Sequence, residues 1–170
     1  NIPTDGYVGR NVQTIYDSLV VQSSKNCLVR INRLGQVTHS YPVYGYHFQG
    51  EYAYDGSAGV YLLATADRKN MTVGSKVLKI DLENKKVSQV LDMDTLLKSV
   101  YARAKKKGNA KNWISLDSIQ CTGTNQLLLS SSKLSSVFKV SRVGSLLPSV
   151  DYIIADASQW KSCLLYTSDA

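Results

Sequence analysis

Few side chains in this sequence have chemistry to offer, and most of them sit in two short stretches. His47 stands just ahead of Gln49-Gly50-Glu51, where an imidazole could serve as a base if it shared a strand face with Gln49. An exposed or edge histidine with no such role is the plainer reading. Residues 112–140, NWISLDSIQCTGTNQLLLSSSKLSSVFKV, carry Ser115, Asp117, Ser132 and Lys133. Ser130 to Lys133 spells Ser-x-x-Lys, a nucleophile-and-base spacing, but the companion motifs of penicillin-binding enzymes are absent, and a strand and turn account for it. Asp55 with Asp67, and Asp92 with Asp94, offer paired carboxylates for which loop and helix-cap roles are simpler. Cys27 and Cys121 lack a cysteine or histidine partner at metal-ligand spacing, so buried free thiols are expected, with a disulfide between them left open. With His39 and His47 the only histidines, neither a metal site nor a cofactor is expected. The sequence also lacks a G-x-S-x-G elbow, a P-loop and a G-x-G-x-x-G turn.

The elements that must position these residues repeat. CLVRIN at 27–32, KVLKID at 76–81 and SVFKVS at 136–141 share an apolar, a basic, a β-branched and a small polar residue in that order. Ile31, Ile80 and Val140 are 49 and 60 residues apart, close to a propeller-blade period with loop insertions. Alternation predicts Arg30, Lys79 and Lys139 on one strand face and the apolar residues on the other. Turns follow at 33–36, 82–85 and 142–145, where Gly35, Asn84 and Gly144 would supply positive φ. Further strands are expected at VTHSYPV, VSQVLDM and SVDYIIAD after these turns, and at LVVQS, VYLLATA and QLLLSSS before the repeat cores. The leading strands would be NVQTIY, FQGEYAY and WISLDSIQC. Four strands recurring three times predict an all-β fold, a β-propeller fragment of about three four-stranded blades. A β-sandwich is the alternative. Met93, Leu96, Leu97, Val100, Tyr101 and Ala104 predict one helix near 93–106, capped by Asp92 or Asp94, packing on the propeller rim.

The net charge of +7 raises an anionic partner, but the lysines cluster at Lys105, Lys106, Lys107 and Lys111 without interleaved aromatics. A solvated helix end is expected there, and no nucleic-acid partner. No apolar run approaches the roughly 20 residues of a membrane-spanning helix. The last eight residues, CLLYTSDA, are what TGT CTC TTA TAC ACA TCT GAC GCT would encode, a transposon mosaic end used in library preparation. Residues 163–170 are therefore expected to be adapter-derived, with 1–162 a partial propeller truncated at both ends.

The 112–140 stretch resembles the W-x-H-x-N-S-I-Q … S-S-R … I-K-[IV] signature of bacterial arylsulfate sulfotransferases. Trp113, Ser118, Ile119, Gln120, Ser130, Ser131, Lys139 and Val140 match it. The family's histidine and asparagine fall on Ser115 and Asp117, and its arginine on Ser132, or on Lys133 if residues 122–125 are aligned differently. A family H-H-D run aligns with Gln49-Gly50-Glu51. NRLGQVT at 32–38, VYLLATA at 60–66 and YIIADASQW at 152–160 resemble further family segments, so the likeness covers nearly all of 18–160.

The resemblance implies a six-bladed propeller exported to the periplasm or cell surface, with its active site in a central funnel. It implies a small aryl sulfate or phenol as partner, and a nucleophilic histidine in a later blade. Sulfuryl transfer spreads charge over the sulfuryl oxygens and the leaving phenolate, which hydrogen-bond donors and cations stabilise. Here a carboxylate at Asp117 would repel a sulfate ester unless paired or protonated. Lys133 lacks the guanidinium fork and, one residue along a strand, would point away from the Ser132 face. The implied functions are sulfuryl transfer with a diverged pocket, a non-catalytic propeller binding an anion, glycan or protein, or a purely structural propeller.

Overall fold

A computed structural model describes residues 12–15 and 18–156. The chain forms three successive four-stranded antiparallel sheets, each strand pairing with its neighbours in sequence. The first sheet holds β1 (Val12–Ile15), β2 (Ser18–Ser24), β3 (Cys27–Ile31) and β4 (Val37–Pro42). The second holds β5 (Tyr46–Tyr54), β6 (Gly59–Ala66), β7 (Lys76–Asp81) and β8 (Lys86–Asp92). Helices α1 (Met93–Leu96) and α2 (Lys98–Lys106) then lead to the third, with β9 (Ser118–Gly123), β10 (Gln126–Ser131), β11 (Ser136–Ser141) and β12 (Ser149–Ala155). The three repeat cores are the third strand of each sheet, as the sequence predicts. A sandwich would have two sheets. Residues 157–170, including the expected adapter tail, lie outside the described residues, and so do Asn11 and Tyr16 of the first expected strand.

The middle sheet is covered on both faces. Val60, Leu62 and Ala64 of β6, with Leu78 and Ile80 of β7, join Val20, Leu28 and Tyr41 of the first sheet in one core. Tyr61 and Leu63, with Val77 and Leu91, join Leu127, Leu129, Phe138 and Val140 of the third sheet in another. Period-2 alternation sends alternate residues of β6 into opposite cores, so the whole strand is buried and reads as an unbroken apolar run. The same packing corrects the expectation of one basic and one apolar strand face. Lys79 shares its side with fully buried Val77, and Arg30 with fully buried Leu28. Lys79 is held 3.1 Å from the Asp55 carboxylate and lies 4.9 Å from the Tyr61 ring centroid. The repeated basic residue therefore ties strands together, with Lys139 donating to Gln126 in the third sheet.

Three local expectations are also corrected. In the 82–85 turn it is Lys85, at φ 54°, that takes the left-handed conformation. Asn84 instead donates its side chain to Asp81, whose other carboxylate oxygen accepts from the amides of Glu83 and Asn84. The single helix is two, divided at Leu97 (φ −107°, ψ 45°). Asp92 caps α1 by accepting from the Asp94 amide, and Met93, Leu97, Val100, Tyr101 and Ala104 all pack into the core between the second and third sheets. Cys27 and Cys121 are free and half-buried in strands. Among the described residues no helix is long and apolar enough to cross a membrane.

Candidate functional site

The signature segment begins as a loop. Trp113 to Asp117 precede β9, although the sequence pattern reads them as strand. Trp113, Ile114 and Leu116 are buried to within 2% exposure, while Ser115 is half-buried and Asp117 exposed. Non-local bonds fix the loop. The Trp113 indole N–H donates to Asp94 Oδ1 at 2.7 Å, and its ring packs on Tyr101 with centroids 5.6 Å apart. The Leu116 amide donates to the Gly74 carbonyl at 2.9 Å, and the Val73 amide to the Lys111 carbonyl at 2.8 Å. Ser131 Oγ donates to the Ile114 carbonyl. Ser115 sits at φ 43°, a left-handed conformation that costs a non-glycine residue about 1–2 kcal/mol. The surrounding bonds over-determine it.

Behind Trp113 lies a charged network. Lys76 Nζ, with only 4% of its side chain exposed, reaches Asp92 Oδ1 at 2.6 Å and Asp94 Oδ2 at 2.9 Å. Burial would lower the Lys76 ammonium's pKa, but hydrogen bonds and charge from Asp92 and Asp94 outweigh it and hold it above the ordinary lysine value. Ser75 Oγ also donates to Asp94. Asp94 thus joins α1, β7 and the signature loop in one anchor.

The loop meets the turn that follows β10. The Ser132 amide donates to Asp117 Oδ2, and the Asp117 amide donates to the Ser130 carbonyl at 2.9 Å. Ser118 and Ser130 share a hydroxyl–hydroxyl bond of 2.6 Å where β9 pairs with β10. Asp117 and Ser132 are thus brought into direct contact. Lys133 lies in the same turn and is exposed. Because 132–135 is turn and not strand, the period-2 expectation that Lys133 faces away from Ser132 does not apply.

Glu51, on β5, lines a cleft of about 360 Å3 with Ser118, Gln120 and Ser130, over Ile119, Leu129 and Val137. The side chain of Gln49 lies outside the described residues. The register of β5 on β6 shifts between Phe48 and Tyr52, so counting by twos from His47 to Gln49 and Glu51 does not assign a common face. His47 instead pairs with Asp67, Nδ1 to Oδ1 at 2.5 Å. The sequence pattern offers Asp67 only as a partner for Asp55. Asp55 binds Lys79 and accepts from the amides of Ser57 and Gly59. The signal for Asp67 lies in the β5–β6 hairpin, whose register sets His47 opposite Thr65 at the strand end that runs into Asp67.

Comparison with known proteins gives a family and a fold. A crystal structure of Myxococcus xanthus glutaminyl cyclase is 17% identical and superposes with a TM-score of 0.51, over 86% of this chain and 58% of that one. A plant albumin from Cicer arietinum showing hemagglutination is 12% identical, TM-score 0.45, over 93% and 71%. The hemopexin fold protein CP4 from cow pea is 11% identical, TM-score 0.43, over 93% and 71%. This chain therefore spans little more than half the length of the Myxococcus xanthus protein, and at such identities the likeness concerns the fold alone. No curated protein matches the sequence. The arylsulfotransferase (ASST) profile matches residues 5–167, a span that takes in the anchored Trp113 loop, the β10 turn and all three sheets. The chain belongs to the arylsulfotransferase (ASST) family.

Proposed function

We propose that this chain supplies three consecutive blades of a β-propeller in an exported sulfotransferase that moves a sulfuryl group from an aryl sulfate to a phenol. The leading strands β1, β5 and β9 lie side by side, which supports reading the sheets as blades around an axis. The observation that carries the functional reading is the junction of two signature segments. Trp113 is buried and anchored so that Ser115 and Asp117 emerge from the loop, and Asp117 meets the Ser132 amide at the position of the family's arginine. The family's histidine, asparagine and arginine positions are held here by Ser115, Asp117 and Ser132 or Lys133, while the matching residues Ser118 and Ser130 line the same cleft as Glu51.

A second reading is favoured by one feature. The Glu51 carboxylate in the cleft accepts hydrogen bonds and repels a sulfate ester, so the cleft suits a hydroxyl-bearing ligand such as a glycan, held without turnover. The discriminating experiment incubates the full-length protein with 4-nitrophenyl sulfate, with and without a phenol acceptor. Nitrophenol release that depends on the acceptor supports transfer. A folded protein that releases none favours the non-catalytic reading.

A further inference from the structure

We propose that His47 and Asp67 form an acid–base dyad that takes the proton from the acceptor phenol. This rests on the sulfuryl-transfer reading above. His47 donates its Nδ1 hydrogen to the Asp67 carboxylate across 2.5 Å, which leaves the Nε2 lone pair as the proton acceptor. Both side chains are reachable, at 33% and 44% exposure. The pair is also fixed in place, since the Asp67 amide donates to the Gly45 carbonyl at 2.8 Å.

Its placement ties it to the signature loop. Tyr46 and Phe48 pack into the core shared with the first sheet, so strand alternation turns His47 toward the third sheet's side. Opposite His47 on β6 is buried Thr65, whose hydroxyl accepts from the Gly74 amide at 2.7 Å. The Gly74 carbonyl in turn accepts from Leu116, between Ser115 and Asp117. Two residues, Thr65 and Gly74, therefore separate the dyad from the loop. The family's histidine positions hold Gln49, Gly50 and Ser115, and the other histidine, His39, lies on β4 beside Thr38. The imidazole at this end of the sheets is His47.

In the step, the acceptor O–H bond breaks and its proton bonds to Nε2. The freed oxygen pair forms the new S–O bond as the sulfuryl group's old bond breaks, its electron pair leaving with the departing group. His47 then passes the proton to the departing group or to water, and the dyad ends as it began.

The test uses the full-length protein with 4-nitrophenyl sulfate and acceptor phenols graded from strongly acidic to unsubstituted phenol, whose pKa is about 10. His47→Gln is expected to lose about 10²–10⁴-fold in kcat/KM with the least acidic acceptors and little with acceptors already ionised. Asp67→Asn should follow the same trend with a smaller loss. A loss uniform across acceptors, or none, overturns the dyad while leaving the transfer reading intact. Absence of transfer in the unmutated protein overturns the transfer reading itself. Nitrogen NMR of the histidines gives a readout independent of turnover. Nδ1 protonated and Nε2 bare is expected at His47, and the opposite tautomer refutes the dyad.

Discussion

Replacing Lys76 by methionine tests whether the charged anchor behind Trp113 holds the signature loop. Lys76 Nζ contacts two carboxylates at 2.6 and 2.9 Å with 4% of its side chain exposed. Methionine fills similar space, so the main loss is the ammonium, which leaves Asp92 and Asp94 facing each other without a counter-charge. Breaking a buried ion pair costs about 3–5 kcal/mol. Asp92 is 29% exposed and recovers some hydration, which sets the expected loss near the lower bound, about 3 kcal/mol. That is a large share of the roughly 5–15 kcal/mol available to a domain. Adding Asp94→Asn should recover part of the loss, because one uncompensated charge disappears while the side-chain oxygen can still accept from Trp113. Urea unfolding followed by circular dichroism gives the free energies, and amide hydrogen exchange reports the loop through Leu116, whose N–H binds Gly74. A change below about 1 kcal/mol, or unaltered protection at Leu116, would refute the anchoring role.

Other consequences are equally direct. A Cβ at Gly59 would lie 2.4 Å from Lys79 Cε and 2.5 Å from Asp55 Oδ2, so Gly59→Ala must displace that ion pair, with an expected loss of about 1–3 kcal/mol in urea unfolding. For Asp55, burial alone would raise the carboxyl's pKa, but the Gly59 and Ser57 amides and Lys79 hold it below its ordinary value of 3.8. Its stabilisation is therefore present above pH 3.8 and lost as pH falls through the lower folded value. Burial would lower Lys79, but Asp55 and Tyr61 raise it above 10.5, so its share is present below pH 10.5 and lost as pH rises through the higher folded value. The Tm difference between the unmutated protein and Asp55→Asn should stay level across neutral pH and shrink toward strong acid. Ser115→His with Asp117→Asn introduces the residues that the resemblance aligns there; histidine tolerates the left-handed conformation of position 115, and the new carboxamide still offers an oxygen to the Ser132 amide. Acceptor-dependent turnover should rise by about 10²-fold, and an unchanged rate would count against the loop as part of the site.

The repeat was legible because its information is local. Alternation in the three cores and the glycines at 35 and 144 mark strands and turns that the fold keeps. What escaped depends on partners distant in sequence. Nothing in WISLD says that its first residues leave the strand, since the cause is Asp94 catching the Trp113 indole and Gly74 catching the Leu116 amide. The helical stripe from Met93 to Ala104 is continuous, but both Met93 and Leu97 must reach the core between two sheets, and the backbone turns at Leu97 between two helices. Glycine and asparagine were the natural choices for positive φ, yet Asp81 holds the 82–85 turn so that Lys85 takes it. The candidate site was half legible. Asp117 and Ser132 were aligned in sequence and meet in space, while the His47–Asp67 pair spans 20 residues and emerges only when β5 is folded onto β6.

The most direct measurement for the account as a whole is mass spectrometry of a phenol acceptor after incubation with 4-nitrophenyl sulfate and the full-length protein. The account predicts an acceptor product heavier by one sulfuryl group, absent without the protein. Unmodified acceptor alongside a folded protein would contradict it.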